Sequence, residues 1–370
     1  MKKYIALALT LILAISLLAG CGGGQSESES EEIQVGIVLP SKDETRWIQD
    51  EANFKTALEE AGLKSEVAFS QGATTTELAN VDDLIEKKIK VLVLCSCDVD
   101  AAAKAVQNAK DAGVSVVCYD RLVKNTDAVD YYVTFDSYAV GAAQGRYLMD
   151  KYAGKKAVPL YLYAGANKDG NSFKLFAGAW SVLTKAVADG QFEVQNCDAV
   201  KDYIGKELDV KKDYDALAKI MSTIDTEWSE ETAKAMAEAD LKSGKKGDIA
   251  ILAPNDGTAR AFANAFSANA EVKSYVVTGQ DADPASLKYI QEGKQNMTVW
   301  KDVKTLTKAT CDLVGAIISG SEPSTNAEND NGSKVVPSVE EKFTAVVDAE
   351  NLQSLIDDGS FSKEDIDSAE

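Results

Sequence analysis

Residues 91–123 read VLVLCSCDVDAAAKAVQNAKDAGVSVVCYDRLV and decide the fold class. An apolar, β-branched run comes first, a helical pattern over 98–112 follows, and a second apolar run begins after Gly113. Continuous apolar runs separated by an amphipathic helix are typical of parallel strands covered on both faces. The second run ends in an acid and a base, Asp120 and Arg121. Two interpretations are open for this pair: an ion pair in a solvated loop, or polar groups of a binding site at the strand's carboxyl end.

The same alternation extends along most of the chain. One series of strands and helices runs from residue 33 to about 135, and a second starts near residue 140 and continues to about 280. Only 199–229 breaks the rhythm and is interpreted as a loop with some helix. We therefore predict an α/β protein with two doubly wound, Rossmann-like parallel-sheet lobes. The remaining pattern predicts a helix over 284–292, a strand at MTVW, a helix over 303–318, a polar loop over 319–334, a strand at FTAVVD and a short helix over 352–358.

Composition excludes several classes of function. The 370 residues are enough for two domains. With 59 acidic and 39 basic residues, the net charge of −20 argues against a nucleic-acid partner. The chain has no histidine, which rules out a Ser-His-Asp triad, a Cys-His pair and a zinc site with His ligands. Enzymes that work through carboxylates alone, such as glycosidases, remain possible.

The N-terminus has the pattern of an export signal. MKKYIALALTLILAISLLAGC places two lysines before an apolar run and ends in Leu-Ala-Gly-Cys. It resembles a bacterial lipoprotein signal, so we expect a signal peptide over 1–20 and a lipid on Cys21. A plain signal peptide with an incidental cysteine is the alternative. The polar, acidic residues that follow predict a disordered, lipidated tether over 21–32.

Five further cysteines remain, and their odd number excludes complete internal pairing. They are Cys95, Cys97, Cys118, Cys197 and Cys311. Cys95 and Cys118 end apolar runs, which predicts small buried hydrophobes. The sequence Cys95-Ser-Cys97 could suggest a metal, but without histidine or a second close pair we expect no metal site.

Polar side chains follow nearly every predicted strand, where open parallel sheets bind ligands. These segments are SKDETRW, SCDVD, YDR, FD, ANKDGN, PND, GQD and WK. Such a ring of carboxylates, amides and cations suits vicinal hydroxyls, because each hydroxyl both donates and accepts hydrogen bonds. An indole can pack on the C–H face of a pyranose ring, and Trp47, Trp228 and Trp300 lie near these strand ends. Trp180, in the middle of a helix, is expected in the core.

Single residues of this ring also have structural interpretations. Asp98, Asp136 and Asp256 could cap helices. Arg46 and Trp47 could serve packing alone, and Lys301 could be a solvated strand end. The coincidence of so many polar groups at one edge favours a site.

The segments RWIQD, VVCYDRLV, YYVTFD, DGNS, APNDGT, VTGQDAD, MTVWKD and NGSKVVP occur in this order. Together they resemble the class I periplasmic sugar-binding proteins of ABC importers, most of all the xylose-binding and multiple-monosaccharide-binding branch. The resemblance covers about residues 33–348. It implies a periplasmic-binding-protein-like I fold whose two lobes are joined by three crossovers. An N-terminal lobe would hold 33–137 with 281–301 and 335–348, a C-terminal lobe 138–280 with 302–334, and 349–370 would form a C-terminal helix and tail.

The resemblance also implies which residues hydrogen-bond the sugar. These are Arg46, Asp120 and Arg121 from the first lobe, Asn171 and Asn255 from the second, and Asp281 and Lys301 from the crossover region, with Trp228 as the stacking aromatic. Second-tier candidates are Trp47, Asp98, Asp136 and Asp169. Ser137 departs from the family, which often has asparagine after FD.

The function implied is that of a binding protein, not an enzyme, with no cofactor. It would be a monomer, lipid-anchored to the outer face of the cell membrane through Cys21, that delivers a monosaccharide to a membrane permease. Xylose comes first, with glucose, galactose and arabinose as alternatives. A sugar sensor for a chemoreceptor or histidine kinase would use the same site. An extracellular carbohydrate-active enzyme is disfavoured, since Arg46, Arg121 and Lys301 are expected to keep nearby carboxylates ionised.

Overall fold

A computed structural model describes residues 32–369. The predicted signal peptide, Cys21 and all but the last residue of the predicted tether lie outside the described residues. Across residues 32–369, every helix is too short or too polar to span a lipid bilayer.

The first series of elements follows the predicted alternation closely. The runs VGIVL and VLVL become fully buried strands, whereas SEVAF becomes a half-buried one. Glycines such as Gly62 and Gly113 end helices in the left-handed region (φ +69° and +79°). The elements are β1 (Val35–Leu39), α1 (Thr45–Glu60), β2 (Ser65–Phe69), α2 (Thr74–Glu86), β3 (Val91–Leu94), α3 (Ala103–Asp111), β4 (Ser115–Tyr119) and β5 (Tyr131–Phe135).

The second series begins directly after β5. It comprises α4 (Ser137–Lys151), β6 (Val158–Leu162), α5 (Gly170–Ala188), β7 (Phe192–Val194), a short 3-10 helix (Asp198–Tyr203), α6 (Tyr214–Ile224), α7 (Glu230–Ser243), β8 (Gly247–Leu252), α8 (Asp256–Ser267), β9 (Val272–Val277), α9 (Pro284–Gln291) and β10 (Met297–Trp300). The irregular stretch 199–229 therefore contains one full helix, α6, whose apolar face joins the core of this lobe through Leu217 and Ile220.

The C-terminal part of the chain contains α10 (Val303–Ser319), β11 (Ala327–Asp330), β12 (Val335–Glu341), β13 (Ala345–Asp348), α11 (Leu352–Asp357) and α12 (Lys363–Ser368). The predicted polar loop 319–334 thus contains a strand, β11, which pairs antiparallel with β12. Its sequence, AEND, is polar because it is an edge strand, so an apolar pattern gave no signal.

Two sheets organise the molecule. The first has seven strands in the order β11-β12-β5-β4-β3-β1-β2, and all its neighbours except β11 and β12 pair in parallel. The second has four parallel strands in the order β7-β6-β8-β9. β10 and β13 form a two-stranded antiparallel sheet. A bridge between Val299 in β10 and Gln280, which follows β9, links this small sheet to the second sheet. This is the predicted fold class.

The predicted lobe boundaries need a correction after residue 280. Residues 281–301 belong with the second lobe, since α9 is tied to it by the Arg260–Asp283 ion pair and β10 by the Gln280–Val299 bridge. Within 302–334, α10 packs in the core of the first lobe and β11 joins the first sheet. Segment 335–348 divides, because β12 pairs with β5 whereas β13 pairs with β10. The three crossovers therefore lie at about 136, 301–302 and 342–344.

The reason for this error is local. A strand pattern such as MTVW shows that a strand forms but carries no information about its partner. The partner of β10 is β13, nearly 50 residues later in the chain, with Met297 opposite Asp348.

The five cysteines within the described residues are all free. Cys95 and Cys118 are fully buried at the ends of β3 and β4, as predicted. Burial raises the pKa of the Cys118 thiol to about 12, which makes it unreactive at neutral pH.

Candidate functional site

The carboxyl ends of strands from both lobes meet around a narrow internal cavity of about 30 Å³. Its wall contains all eight first-tier candidates, namely Arg46, Asp120, Arg121, Asn171, Trp228, Asn255, Asp281 and Lys301. Two second-tier candidates, Trp47 and Asp169, line it too. The cavity adjoins an outer cleft of about 640 Å³, whose wall includes Arg46, Trp228 and Asn255 again. A cleft of this size between two lobes is typical of a small-molecule site.

Asp98 and Asp136 are not in this wall. The Asp98 carboxylate accepts the N–H groups of Asp100 and Ala101, at 3.0 and 3.1 Å. Asp136 caps α4 by accepting the N–H of Ala139 at 2.9 Å. The capping interpretation therefore describes both residues, and neither of them lines this cavity.

Asp120 is the centre of the site. Its Oδ2 accepts Nη2 of Arg46 at 2.9 Å, within the first lobe. Its Oδ1 and main-chain oxygen accept Nδ2 of Asn171 at 3.2 and 2.7 Å, from the second lobe. Burial works against ionisation, yet Arg46, Lys301 and Arg121 hold the pKa of Asp120 below its usual value. This carboxylate is therefore a fixed, charged acceptor touched by both lobes.

The backbone at Asp120 is strained, with φ at +62° in the left-handed region. Hydrogen bonds from Tyr132 Oη and Thr134 Oγ1 to its carbonyl oxygen, at 2.7 and 3.2 Å, fix this turn. Strain that the surroundings hold in place is characteristic of functional positions. The apolar run of β4 ends here because the chain turns to present Asp120 and Arg121 to the gap between the lobes.

Arg46 projects from the first turn of α1 and is 8% exposed. Besides Asp120 it contacts Asp50 through Nε at 3.2 Å and Asp281 through Nη1 at 3.8 Å. Burial raises the pKa of Asp50, one turn further along α1, to about 6. The guanidinium carbon also lies 5.0 Å from the ring centre of Trp47, a cation–π distance. These contacts hold the Arg46 guanidinium in one orientation without a ligand.

Arg121 connects the two lobes on the other side of Asp120. Its Nη1 donates to the carbonyl oxygen of Ser96 at 3.1 Å, and its Nε lies 3.0 Å from Oδ2 of Asp169, the N-cap of α5. Glu44 is 4.0 Å from Nη2. Burial raises the pKa of both Glu44 and Asp169 despite this cation. The expectation that the cations dominate therefore holds at Asp120, whereas burial outweighs them at Glu44 and Asp169.

Lys301 and Asp281 close the site where the chain crosses between lobes. Lys301 follows β10 and its Nζ lies 2.9 Å from Oδ1 of Asp281. Lys301 is 8% exposed, so it is not a solvated strand end. Asp281 has a φ of +103° and Ala282 one of +56°, a second strained turn at the cavity wall.

Asn255 both caps a helix and lines the cavity. Its Oδ1 accepts the N–H of Thr258 at 3.2 Å in a capping box at the start of α8. Asp256, which the sequence suggested as a possible cap of α8, does not cap it. Asp256 is buried, and its carboxylate accepts Nε2 of Gln295 at 2.9 Å and the N–H of Asp283 at 3.0 Å. Asp256 therefore ties α8 to the segment before α9 and is structural.

Trp228 stands in the wall between the inner cavity and the outer cleft. Its backbone φ is +59°, and its half-buried indole lies against Gly165, where a Cβ would approach the ring to 2.2 Å. The absence of a side chain at Gly165 therefore leaves the space that the Trp228 indole occupies. Of the other tryptophans, Trp180 is fully buried in the core as predicted, and Trp300 packs on Phe361 with ring centres 4.7 Å apart, outside this wall.

Comparison with known proteins identifies the family. The periplasmic binding protein domain family matches residues 35–322. The chain belongs to this family. The multiple sugar-binding periplasmic protein SbpA of Azospirillum brasilense is 32% identical over 340 residues, covering 89% of this chain and 90% of that protein. The D-xylose-binding periplasmic protein of Escherichia coli K12 is 28% identical over 337 residues, covering 90% and 92%.

A solved structure is similar along nearly the whole described chain. The carbohydrate transporter solute binding protein from Chloroflexus aurantiacus, in complex with D-glucose, has a TM-score of 0.85 and 49% sequence identity. The match covers 90% of this chain and 97% of that one. These three proteins are described as binding or transport proteins, and the chain belongs to a family of binding proteins, not enzymes.

Sequence reasoning missed several residues of this periplasmic binding protein's cavity. Glu44 accepts a hydrogen bond from Nε1 of Trp47 at 2.9 Å, and as one of two adjacent acids in SKDETRW it carries no signal that separates it from Asp43. Phe135 ends β5, and its ring centre lies 5.9 Å from the Arg46 guanidinium and 5.8 Å from the Lys301 ammonium. Gln280 and Ser137 also line the wall. Phe135 could have been predicted from its position, because it is an aromatic residue at the end of a strand that is followed by a polar residue of the ring.

Proposed function

We propose that this protein is an extracytoplasmic solute-binding protein of an ABC importer that binds a monosaccharide between its lobes and delivers it to a membrane permease. The observation that carries the proposal is the position of Asp120. One ionised carboxylate is held by Arg46 of its own lobe and by Asn171 of the other. A ligand that hydrogen-bonds this group therefore touches both lobes and favours their closed arrangement.

The chemistry of the wall suits a neutral polyol. Each sugar hydroxyl can donate to Asp120 or Asp281 and accept from Arg46, Arg121, Asn171 or Lys301, and Asn255 can do both. Charge-assisted hydrogen bonds contribute about 1.5–3 kcal/mol each, so about three to six of them supply the roughly 8 kcal/mol of micromolar affinity. The cations and carboxylates already pair with one another. A sugar can therefore add hydrogen bonds to these groups while the ion pairs persist, and no buried charge is left alone.

The face of Trp228 supplies the apolar surface of this site. A pyranose presents C–H groups on its ring face, and an indole held rigidly at the cleft wall can pack against them. Trp47 and Asp169 support the site indirectly in this scheme: Trp47 lies beneath Arg46 and Arg121, at 5.0 and 5.3 Å, and Asp169 orients Arg121.

The sugar we propose is D-xylose or D-glucose, with galactose and arabinose as further candidates. The resemblance in sequence favours xylose, and the similar Chloroflexus aurantiacus protein was solved with D-glucose. In their pyranose forms, xylose and glucose share the arrangement of the ring hydroxyls and differ by the hydroxymethyl group at C5. The polar wall can recognise the shared part, and the space beside C5 would decide between them.

Titration calorimetry against xylose, glucose, galactose and arabinose tests the proposal. We expect at least one sugar to bind with a dissociation constant in the micromolar range or below, about −8 kcal/mol or more favourable. The absence of binding to every sugar of the panel would contradict the proposal. Turnover of a glycoside by the purified protein would point to the enzyme alternative instead.

We further propose that the mature protein is anchored to the outer face of the cell membrane through a lipid on Cys21. The support is the sequence Leu-Ala-Gly-Cys after an apolar run. The full-length protein should partition into detergent in a phase-separation experiment, and Cys21→Ser should move it to the aqueous phase. Equal partitioning of the two forms would contradict the lipid anchor.

A further inference from the structure

A second cavity of about 460 Å³ lies between the lobes, beyond Asn171. The first lobe contributes Lys124 in the loop after β4 and the segment 329–332 next to β12. The second lobe contributes Lys174 on α5 and residues 210–214 before and at the start of α6. Its wall shares only Asn171 with the inner cavity of the sugar site. It is large enough for a separate small molecule.

The charge of this cavity is opposite to that of the protein. Three ammonium groups line it, from Lys124, Lys174 and Lys211, against two carboxylates, from Asp100 and Asp330. The whole chain carries a net charge of −20. A local excess of cations in so acidic a protein attracts small anions to this place.

Lys174 is the least satisfied of the three lysines. Its half-buried Nζ donates to Oδ1 of Asn329 at 2.9 Å, a neutral partner, and lies 5.9 Å from the ring centre of Tyr132. No carboxylate within residues 32–369 forms an ion pair with it. Burial is the largest influence and lowers the pKa of Lys174. The carboxylates of Glu340, Asp136 and Asp169 raise it, and the Lys211 ammonium has a smaller, lowering effect. A half-buried ammonium of this kind is stabilised by any oxyanion that reaches it.

An aromatic pair forms the apolar part of the same wall. The rings of Phe173 and Tyr214 are stacked, with centres 5.0 Å apart and planes inclined by 9°. Tyr214 is 40% exposed, so its side chain is accessible to a ligand. The Lys124 ammonium lies 5.1 Å from the Tyr214 ring centre. A flat organic molecule can therefore pack beside Tyr214 while its anionic group faces the lysines.

We propose that this cavity is a binding site for a small organic anion, in which a carboxylate or phosphate pairs with Lys174 and Lys211 and an attached ring packs against Tyr214. The anion would contact residues of both lobes. It would therefore favour the same lobe arrangement as a ligand in the cleft and raise affinity there, by the reciprocity of linked binding. This site is separate from the proposed sugar site and goes beyond the proposed function.

A simpler explanation of the three lysines is a latch. Lys124 approaches Tyr214 Oη at 3.4 Å, Lys174 approaches Asn329, and Lys211 lies 3.6 Å from Asp330, and each pair joins one lobe to the other. A latch uses the Tyr214 hydroxyl but needs no ligand in the cavity. It predicts no response to anions beyond that of ionic strength.

Titration calorimetry with benzoate, phenyl phosphate, inorganic phosphate and benzyl alcohol, at constant ionic strength, distinguishes these explanations. Benzoate and phenyl phosphate carry the ring with either anionic group, inorganic phosphate lacks the ring, and benzyl alcohol lacks the charge. None of them offers the vicinal hydroxyls expected of a ligand in the sugar site. We expect benzoate or phenyl phosphate to bind at millimolar concentration or below and more tightly than the other two probes.

Lys174→Gln should weaken this binding at least fivefold. Lys211→Gln should have the same effect, and it provides the test if Lys174→Gln does not fold. The matched control is Lys185→Gln, which removes the same charge from the far, exposed end of α5. The ring-bearing anion should also tighten sugar binding in the wild type and not in Lys174→Gln. No binding of either ring-bearing anion, or equal binding by all three variants and the wild type, would overturn the proposal.

Discussion

At the scale of single residues, the site depends on how charges are arranged around Asp120. Arg46 and Arg121 lie on different sides of it, and Arg121 makes the shorter ionic contact to the second lobe, 3.0 Å to Asp169 against 3.8 Å from Arg46 to Asp281. Removing Arg121 takes away a proposed hydrogen-bond donor and also leaves the buried Asp169 and the half-buried Glu44 without this cation. The loss should therefore exceed that of an ordinary polar contact.

Arg121→Ala should weaken sugar binding tenfold or more, which corresponds to about 1.4 kcal/mol or more. Calorimetry with the best sugar of the panel measures it. Arg146→Ala, an exposed arginine on α4, is the control and should keep wild-type affinity. Equal affinity in Arg121→Ala and wild type would show that the Arg121–Asp169 pair has only a structural role.

A second residue, away from the site, should determine how stability depends on pH. Glu77 in α2 is 1% exposed, and its Oε2 accepts the N–H of Cys97 at 2.7 Å. Burial raises its pKa from 4.5 to about 7. Between these values the folded chain holds a proton that the unfolded chain has lost. The Glu77 contribution to the free energy of unfolding therefore falls as pH rises from about 4.5 to 7.

Glu77→Gln removes this contribution and can still accept the Cys97 N–H. Relative to wild type, its free energy of unfolding should rise by about 2–3 kcal/mol between pH 5 and pH 8, because one pKa unit is worth about 1.4 kcal/mol. Urea denaturation at several pH values measures the difference. Glu86→Gln, at the exposed end of the same helix, serves as the control, and the same pH profile in Glu77→Gln as in wild type would refute the assignment.

At the scale of elements, α4 and α5 pack closely against each other. A Cβ at Gly178 would lie 2.0 Å from the carbonyl oxygen of Tyr138, and one at Gly141 would lie 1.9 Å from that of Leu175. The two helices therefore approach each other through glycines on both faces. This packing matters for the site, because α5 carries Asp169 and Asn171 at its N-terminal end.

Gly178→Ala should destabilise the protein by about 1–3 kcal/mol or more, since the added methyl forces the helices apart. Gly315→Ala is the matched control: Gly315 also lies inside a helix, α10, but a Cβ there meets nothing within 4 Å. That variant should gain about 0.5–1 kcal/mol from reduced backbone entropy. Chemical denaturation compares them, and equal effects of the two substitutions would show that α4 and α5 can move apart freely.

The elements also show where prediction from sequence succeeds. The strands of the first series are continuous apolar runs bounded by glycine or polar residues, so local pattern defines them. β11 escapes prediction because an edge strand of sequence AEND has no apolar run. The expectation of some helix within 199–229 is confirmed by α6, although the local pattern does not give its bounds.

At the scale of the whole molecule, a ligand between the lobes stabilises both of them together. A sugar that binds only the folded protein, at one hundred times its dissociation constant, should raise the free energy of unfolding by about 2.7 kcal/mol. Differential scanning calorimetry should show a higher transition temperature with the sugar that binds and no change with a sugar that does not bind. Stabilisation by every sugar alike would indicate a solvent effect instead of binding in the cleft.

The composition of the candidate site could be predicted, whereas its internal contacts could not. Seven polar first-tier residues of the predicted ring line one cavity, because the carboxyl ends of parallel strands lie at one edge of each sheet. The eighth, Trp228, follows a helix, and its role was implied by the family resemblance. Asp98 and Asp136 lie outside this wall. Their carboxylates accept backbone N–H groups at the start of the following turn and helix instead, a local interaction that the strand-end pattern does not reveal.

The sequence by itself determined the two α/β lobes, the polar ring at their strand ends and the membership of the family, since these follow from local periodicity and the order of short segments. Only the tertiary structure decided that β10 pairs with β13, that α10 packs in the first lobe, and that Asn171 reaches Asp120 across the gap. The physical reason is that strand pairing and contacts between lobes join residues far apart in the chain, whose partners no local pattern specifies.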